Sequence, residues 1–134
     1  MDRVAFSTPL APAKATITSQ VVRAAGLVFT AGVMPLDPST HQLPAAGVAA
    51  QTHQAMRNLR ALLEAAGSSL DLLVQVTVYL RSWADFAEMN AVYTSYLRPP
   101  LPARACVEVS CIGDDAAIEL VAIALAGEGG TSAP

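Results

Sequence analysis

At 134 residues the chain is long enough for one domain with a single core, which we expect to span residues 1–126, with a flexible tail at 127–134. Only 14% of the residues are charged and 53% are hydrophobic, so some apolar surface is expected to remain outside the core. The net charge is −3 and the eight Lys and Arg residues form no cluster, which argues against a nucleic-acid-binding surface.

The apolar excess does not predict a membrane span. The longest apolar stretch, AAIELVAIALAG, contains Glu119 and is shorter than the roughly 18 residues that a spanning helix needs. The N-terminal stretch, MDRVAFSTPLAPAK, lacks the basic start and apolar run of a secretory signal. We therefore predict a cytoplasmic protein without membrane contact.

The first half of the chain predicts a β-hairpin followed by a long helix. Residues 16–22 alternate β-branched and polar side chains, and the segment GLVFTAGVMPLDP begins with a strand and ends in a proline-flanked loop, so a turn is expected at 24–26. Apolar residues then recur at spacings of three and four from Val48 to Ala66, which is typical of a helix face. Gly67 follows this helix and is expected to end it.

The second half predicts a strand, a helix and two more strands. The segment LDLLVQVTVYL has the period of a strand over residues 72–80. Ser82 is in position to cap a second helix, with Asp85 three residues later, and this helix must end before Pro99. Residues 103–111 and 117–126 are predicted as strands joined by the turn-like sequence IGDDA.

The resulting order, ββαβαββ, predicts an α+β two-layer sandwich in which two helices cover one face of a single sheet. Two helices leave the other face of the sheet uncovered. Because the chain carries so little charge, the simplest cover for that face is a second copy of the chain. We therefore expect a homo-oligomer.

Strand 103–111 has an unusual polar face. Ala105, Val107 and Val109 alternate with Arg104, Cys106, Glu108 and Ser110, and we assign the polar set to the uncovered face. If the last two strands pair as a hairpin, opposed residue numbers total about 228. Cys106 and Glu108 are then expected near Glu119, with Arg104 in diagonal reach of it.

Such a group could bind a small carboxylic acid. Arginine binds planar carboxylates with two parallel hydrogen bonds, and Glu119 could handle the proton of a water that attacks the neighbouring carbon. The alternative is a structural salt bridge. Cys106 and Cys111 lie five residues apart, on opposite strand faces, and no metal-ligand spacing is present, so we predict reduced thiols and no metal site.

Four segments of the chain resemble the Rid (reactive intermediate deaminase, YjgF-like) family in the family's order. They are GLVFTAGVMPLDP, AAQTHQAMRNLRALLEAAGSSLDLLVQVTVYL, WADFAEMNAVYTSYL and PARACVEVSCIGDDAAIELVAIA, within residues 19–126. The resemblance implies a chorismate-mutase-like fold with a mixed sheet and a homotrimer with clefts between its subunits. It also implies hydrolysis of 2-imino or 2-enamino acids to 2-oxo acids and ammonia, without a metal or organic cofactor.

In that scheme Arg104 holds the substrate carboxylate, Glu119 positions or activates water, and Cys106 lines the pocket through its backbone. Asn90 matches a pocket position too, although a polar residue on a helix is often simply solvated. Backbone groups of Ala31 and Gly32 are expected to contact the ligand.

Two departures from the family pattern change the expected pocket. Thr18 in TITSQ replaces the tyrosine of GPYSQ, and Ala31 and Val33 in AGVMP replace the serine and glutamine of SGQIP. Both changes predict a more apolar pocket that accepts a different or bulkier substrate.

Three functions remain in competition after the sequence alone. The first is an imine or enamine deaminase, supported by Arg104 and Glu119. The second is a noncatalytic carboxylate-binding protein, supported by the changes at Thr18 and Ala31. The third, a ribonuclease or translation inhibitor, is disfavoured because the only histidines, His41 and His53, are expected on the surface, and RNA cleavage usually needs paired acid and base groups.

Overall fold

The computed structural model describes residues 2–14 and 17–127. These residues form six strands and two helices: β1 (Val4–Phe6), β2 (Val21–Ala24), β3 (Leu27–Thr30), α1 (Gly47–Ala65), β4 (Leu73–Leu80), α2 (Phe86–Ser95), β5 (Ala103–Glu108) and β6 (Ile118–Leu125). Within the described residues no helix is long and apolar enough to cross a membrane. The predicted tail at 127–134 lies outside the described residues except for Gly127.

The six strands form one mixed sheet in the order β1-β2-β3-β6-β4-β5. Every neighbouring pair is antiparallel except β4 and β5, which run parallel. A parallel pair needs a crossover connection, and α2 provides it between β4 and β5. β5 therefore lies at one edge of the sheet.

Both helices pack on the same face of this sheet. The fully buried side chains of α1, which include Met56, Leu59 and Leu63, meet Val76 and Val78 of β4 in one core. α1 ends where Gly67 takes φ +81°, a conformation that glycine adopts without a Cβ clash. The α+β class, the single sheet and the two covering helices confirm the sequence prediction.

The opposite face of the sheet is uncovered and largely apolar. Register places Phe29 beside Ile123, and Thr77 beside Val121 and Ala105, on this open face. Phe29 is 39% exposed, against 0% for Val28 on the helix-covered face. This is the face that the sequence predicted the two helices would leave uncovered.

The predicted hairpin of the last two strands is wrong. β6 inserts between β3 and β4, and β5 pairs with β4 instead of β6. Residues 109–117 therefore carry the chain past β4, and Cys106 and Glu108 are not brought opposite Glu119 by strand pairing. The error arose because the short connection between β5 and β6 suggested that these two strands pair with each other. Both instead pair with β4, which is buried between them.

The predicted orientation of β5 is wrong as well. Arg104 pairs with Val76 and Cys106 with Val78, so both belong to the helix-covered side, while Ala105 and its neighbours of the same parity belong to the open face. β5 is an edge strand that α2 covers only in part, so a polar residue on its covered side can remain half exposed. Alternation alone could not reveal this.

Several boundaries also differ from the prediction. β1 was not predicted, and the first predicted strand shortens to 21–24, with Thr18 in an irregular segment and residues 15–16 outside the description. Ser82 caps a short 3₁₀ turn at Trp83–Asp85, where its Oγ accepts a hydrogen bond from the Ala84 N–H. The Asp85 side chain makes no cap hydrogen bond, so the expected capping box does not form.

Candidate functional site

Arg104 is the second residue of β5 and lies against the side of α2. Its Nη1 donates a hydrogen bond to Asn90 Oδ1 at 2.6 Å. Its Cζ lies 4.9 Å from the ring centroid of Tyr93 and 5.6 Å from that of Phe86. Phe86, Asn90 and Tyr93 are spaced by about one helical turn, so α2 offers the guanidinium an aromatic ring on each side of an amide.

These contacts fix the direction of the guanidinium without neutralising it. In the described chain no carboxylate lies within 4 Å of Arg104, and its hydrogen bond to Asn90 uses one of five N–H donors. The other donors are free to bind an acid. A preorganised, unpaired arginine is the arrangement expected for carboxylate recognition.

Arg104 lines a cavity of about 250 Å³, which we call the arginine cavity. Its other lining residues come from α2 and from the loop before β5: Asn90, Tyr93, Thr94, Leu97, Leu101 and Pro102. Asn90, proposed from sequence as a pocket residue, thus lies beside Arg104 in this cavity. The volume suits a small metabolite.

Glu119 lines a second cavity of about 290 Å³, the glutamate cavity, together with Gly32, Tyr79, Val109, Cys111, Ile112 and Val121. Glu119 sits on β6 directly beside Tyr79 of β4, on the open face of the sheet. A Cβ placed on Gly32 would overlap the Glu119 carboxylate. Glycine at position 32 is therefore what lets this carboxylate lie against the backbone.

The loop after β3 holds Gly32 in place. β3 separates from β6 after Thr30, whose Oγ1 accepts a hydrogen bond from the Ala122 N–H, and Val33 then pairs again with Leu120. The Ala31 N–H is engaged with the Gln20 carbonyl at 2.9 Å, and Lys14 Nζ donates to the Gly32 carbonyl at 2.7 Å. Of the two residues expected to contact the ligand through their backbone, Gly32 lines the glutamate cavity, whereas Ala31 lines neither cavity and its N–H is already used.

Burial disfavours ionisation of the two acidic groups nearest Arg104. Desolvation raises the pKa of the Cys106 thiol, and the Arg104 charge opposes this in part. The pKa of the Tyr93 phenol is raised for the same reason and opposed by the same charge. Both groups are therefore neutral at pH 7, and Cys106 is not set up as a thiolate nucleophile.

Arg104 and Glu119 lie on opposite faces of one sheet. Arg104 pairs with Val76, Glu119 pairs with Tyr79, and side chains three residues apart on β4 point to opposite faces. The arginine and glutamate cavities of one chain accordingly share no lining residue. A single chain cannot apply both groups to one small molecule.

The remaining sequence candidates are placed as follows. Thr18 is exposed and lines neither cavity, but lies in a groove that Lys14 also lines. Phe86, Tyr93 and Lys14 were missed as site residues. The sequence signal that could have found Phe86 and Tyr93 is their spacing of about one helical turn on either side of Asn90.

No group of three His, Cys, Asp or Glu side chains suited to a metal ion occurs among the described residues. His53 forms a hydrogen bond with the Tyr96 hydroxyl on the outer side of α1. Neither cavity is lined by a histidine.

Known proteins are similar to this chain over nearly its whole length. The family model described as Endoribonuclease L-PSP matches residues 8–126. A RutC family protein of Pyrococcus horikoshii is 44% identical over 124 residues, covering 92% of this chain and 98% of the relative. The 2-iminobutanoate/2-iminopropanoate deaminase of Escherichia coli K12 is 38% identical over 123 residues, covering 90% of this chain and 95% of the relative.

Solved structures share the fold. A crystal structure of Escherichia coli TdcF with bound serine has a TM-score of 0.86 and 31% identity, covering 91% of this chain and 98% of that one. This likeness includes the mixed sheet and the two covering helices.

Proposed function

This chain belongs to the Rid family, the family of the endoribonuclease L-PSP model, and we propose that it hydrolyses small 2-imino or 2-enamino acids to 2-oxo acids and ammonia. The observation that carries the proposal is the pair of cavities, one built around an unpaired arginine and the other around a glutamate held against glycine. A carboxylate anchor and a carboxylate base are the two groups that this reaction needs most.

The proposal includes an intersubunit site. Because Arg104 and Glu119 lie on opposite faces of the sheet, they can act together only if one subunit provides the arginine cavity and a neighbour provides the glutamate cavity. The open apolar face supports such an assembly. A head-to-tail arrangement that closes after three subunits forms three equal clefts, which is the homotrimer expected from the family.

The chemistry follows from the two cavities. The guanidinium of Arg104 binds the substrate carboxylate and so fixes the neighbouring C=N carbon. Glu119 of the adjacent subunit accepts a proton from water as the water oxygen bonds to that carbon, and the proton is returned to nitrogen. The product of this addition is a carbinolamine. Its hydroxyl then loses its proton, which passes to the nitrogen as the C–N bond breaks and the C=O bond forms, so that ammonia leaves and the 2-oxo acid remains. No thiol nucleophile is used, in keeping with the raised pKa of Cys106.

The relatives differ in how specifically their names support this assignment. The Escherichia coli relative is named as a 2-iminobutanoate/2-iminopropanoate deaminase, and the TdcF structure contains serine, which has the same carboxylate next to its nitrogen-bearing carbon. The Pyrococcus relative carries only a family name. The substrate named for the Escherichia coli protein is therefore the first to test here.

A second candidate is a protein that binds small carboxylates without turning them over. It is favoured by the absence of Thr18 from both cavities and by the methyl side chain of Ala31. Under this function the arginine cavity binds 2-oxo acids, raising the melting temperature by mass action, while no imine is consumed.

The deciding experiment measures 2-oxo acid and ammonia release from 2-iminopropanoate, generated in place by an amino-acid oxidase. We expect the wild-type protein to accelerate release, and Arg104→Ala and Glu119→Gln each to reduce that acceleration about a hundredfold or more. Arg98→Ala and Glu64→Gln, at exposed positions outside both cavities, serve as matched controls. Full activity in Arg104→Ala would contradict the anchor, and no acceleration by the wild type would leave the binding function.

A further inference from the structure

Trp83 forms an exposed aromatic surface just before α2, connected to Arg104 through the ring of Phe86. Its ring stacks on that of Phe86, with centroids 4.9 Å apart and planes at 23°. Phe86 is in turn the ring over which Arg104 is placed, at 5.6 Å. Trp83 itself is 50% exposed, so one face of the indole is covered by Phe86 and much of the rest is open.

The backbone under Trp83 is anchored, so the indole has a defined position. The Trp83 N–H donates to Glu108 Oε1 at 2.7 Å, which ties the turn to the end of β5. Ser82 Oγ accepts a hydrogen bond from the Ala84 N–H, which fixes the start of the same turn. An exposed tryptophan on a doubly anchored turn costs little further ordering when a ligand stacks on it.

We propose that Trp83 is a specificity-determining residue that favours substrates with an aromatic side chain over those with a methyl group. The inference rests on the proposed function, because it takes the substrate carboxylate to be bound by Arg104. It names the substrate class for that site: 2-imino acids that carry an aryl group one carbon beyond the imine.

The distances allow one molecule to reach both groups. Because the Trp83 and Phe86 centroids are 4.9 Å apart and Arg104 Cζ is 5.6 Å from the Phe86 centroid, the distance from Arg104 Cζ to the Trp83 centroid is at most about 10.5 Å. A carboxylate on the guanidinium places its own carbon about 4 Å from Cζ, since the hydrogen bonds are about 2.8 Å long. An aryl group attached one carbon beyond the imine extends roughly another 5 Å and can stack on the indole at ordinary ring spacing. A methyl group on the imine carbon has no ring to stack on the indole and so gains little from it.

The composition of the pocket points the same way. The arginine cavity includes Leu97, Leu101 and Pro102, and Leu101 is 61% exposed in the single chain. An apolar, partly aromatic rim is complementary to an aryl side chain and contributes little to a substrate with a methyl group.

The first test uses substrate preference. We expect the ratio of kcat/KM for the imine derived from phenylalanine to that for 2-iminopropanoate to fall about tenfold in Trp83→Leu, which removes the ring and keeps apolar bulk. Trp83→Phe, which keeps a flat ring, should retain most of the preference. An unchanged ratio in Trp83→Leu would overturn the inference and leave the deaminase function in place.

The second test needs no catalysis. Trp83 is the only tryptophan in the chain, so its fluorescence reports directly on this surface. We expect 3-phenylpropanoate to change the emission, propanoate to change it much less, and the response to disappear in Arg104→Ala or with 3-phenylpropan-1-ol, which lacks the carboxylate. A response without imine turnover would retain the aryl site and refute the deaminase function. No response to 3-phenylpropanoate would mean that a neighbouring subunit covers the indole, and would overturn the inference.

Discussion

Mixing two inactive variants provides the sharpest test of the site, because the sheet separates Arg104 from Glu119 within each chain. Arg104→Ala retains an intact glutamate cavity, and Glu119→Gln retains an intact arginine cavity. If neighbouring subunits contribute one cavity each, then co-refolding the two variants must recreate sites that contain both groups. Neither variant alone can do so.

The size of the recovery follows from the arrangement. In a closed ring with random assembly at equal amounts, a site is complete when one subunit has its arginine and the next has its glutamate. Each condition is met with a probability of one half, so about a quarter of the wild-type activity per subunit should return. Since each variant alone is expected to lose about a hundredfold or more, the recovery is large relative to the background.

Wild-type protein mixed with the double variant gives a matched control. Before exchange, half the subunits are active, so the mixture has about half the wild-type activity per subunit. After exchange through a shared site it should fall to about a quarter, and if each chain contained a whole site it would stay at one half. Differently tagged subunits and native mass spectrometry verify that exchange has occurred. Verified exchange with no recovery in the first mixture would refute the intersubunit site.

Other expectations concern the backbone, the fold and the thiol. Gly32→Ala should lower activity about a hundredfold with the fold retained by circular dichroism, because the added methyl group displaces Glu119; full activity would contradict this packing. Asn58→Leu should lower the free energy of unfolding in urea by about 3 kcal/mol, because two loop carbonyls lose the Nδ2 donor; a loss below 1 kcal/mol would contradict it. With the other cysteine replaced by serine, alkylation of Cys106 should rise at a higher pH than for an ordinary cysteine, and higher still in Arg104→Ala, since burial raises the thiol pKa and the arginine lowers it. A midpoint below that of a free thiol would refute this.

Much of the fold could be predicted from local sequence. The helix over 48–66 and the strand over 72–80 have periodicities that leave little choice, and both occur within one or two residues of their predicted bounds. The excess of apolar residues indicated that one sheet face would be uncovered, and the register puts Phe29 on that face. These features depend on contacts between near neighbours or on composition, which a sequence states directly.

The residue types that could form a site were also visible in the sequence. Arg104 and Glu119 stood out because charges are rare in this chain and a strand with a guanidinium on one face is unusual. Their pairing was derived from a hairpin between the last two strands, and that hairpin does not exist.

Only the tertiary structure decided how the two groups relate. Strand order is set by which strands bury the most apolar surface together, a nonlocal quantity, and it inserted β6 between β3 and β4 and sent β5 to the edge. Because β5 is an edge strand, its polar residues lie on the helix-covered face and not on the open face as the alternation predicted. Arg104 is held on that side by Asn90 and two aromatic rings. The sequence by itself therefore determined which side chains are available, while the packing of the sheet determined that one chain presents them on opposite faces.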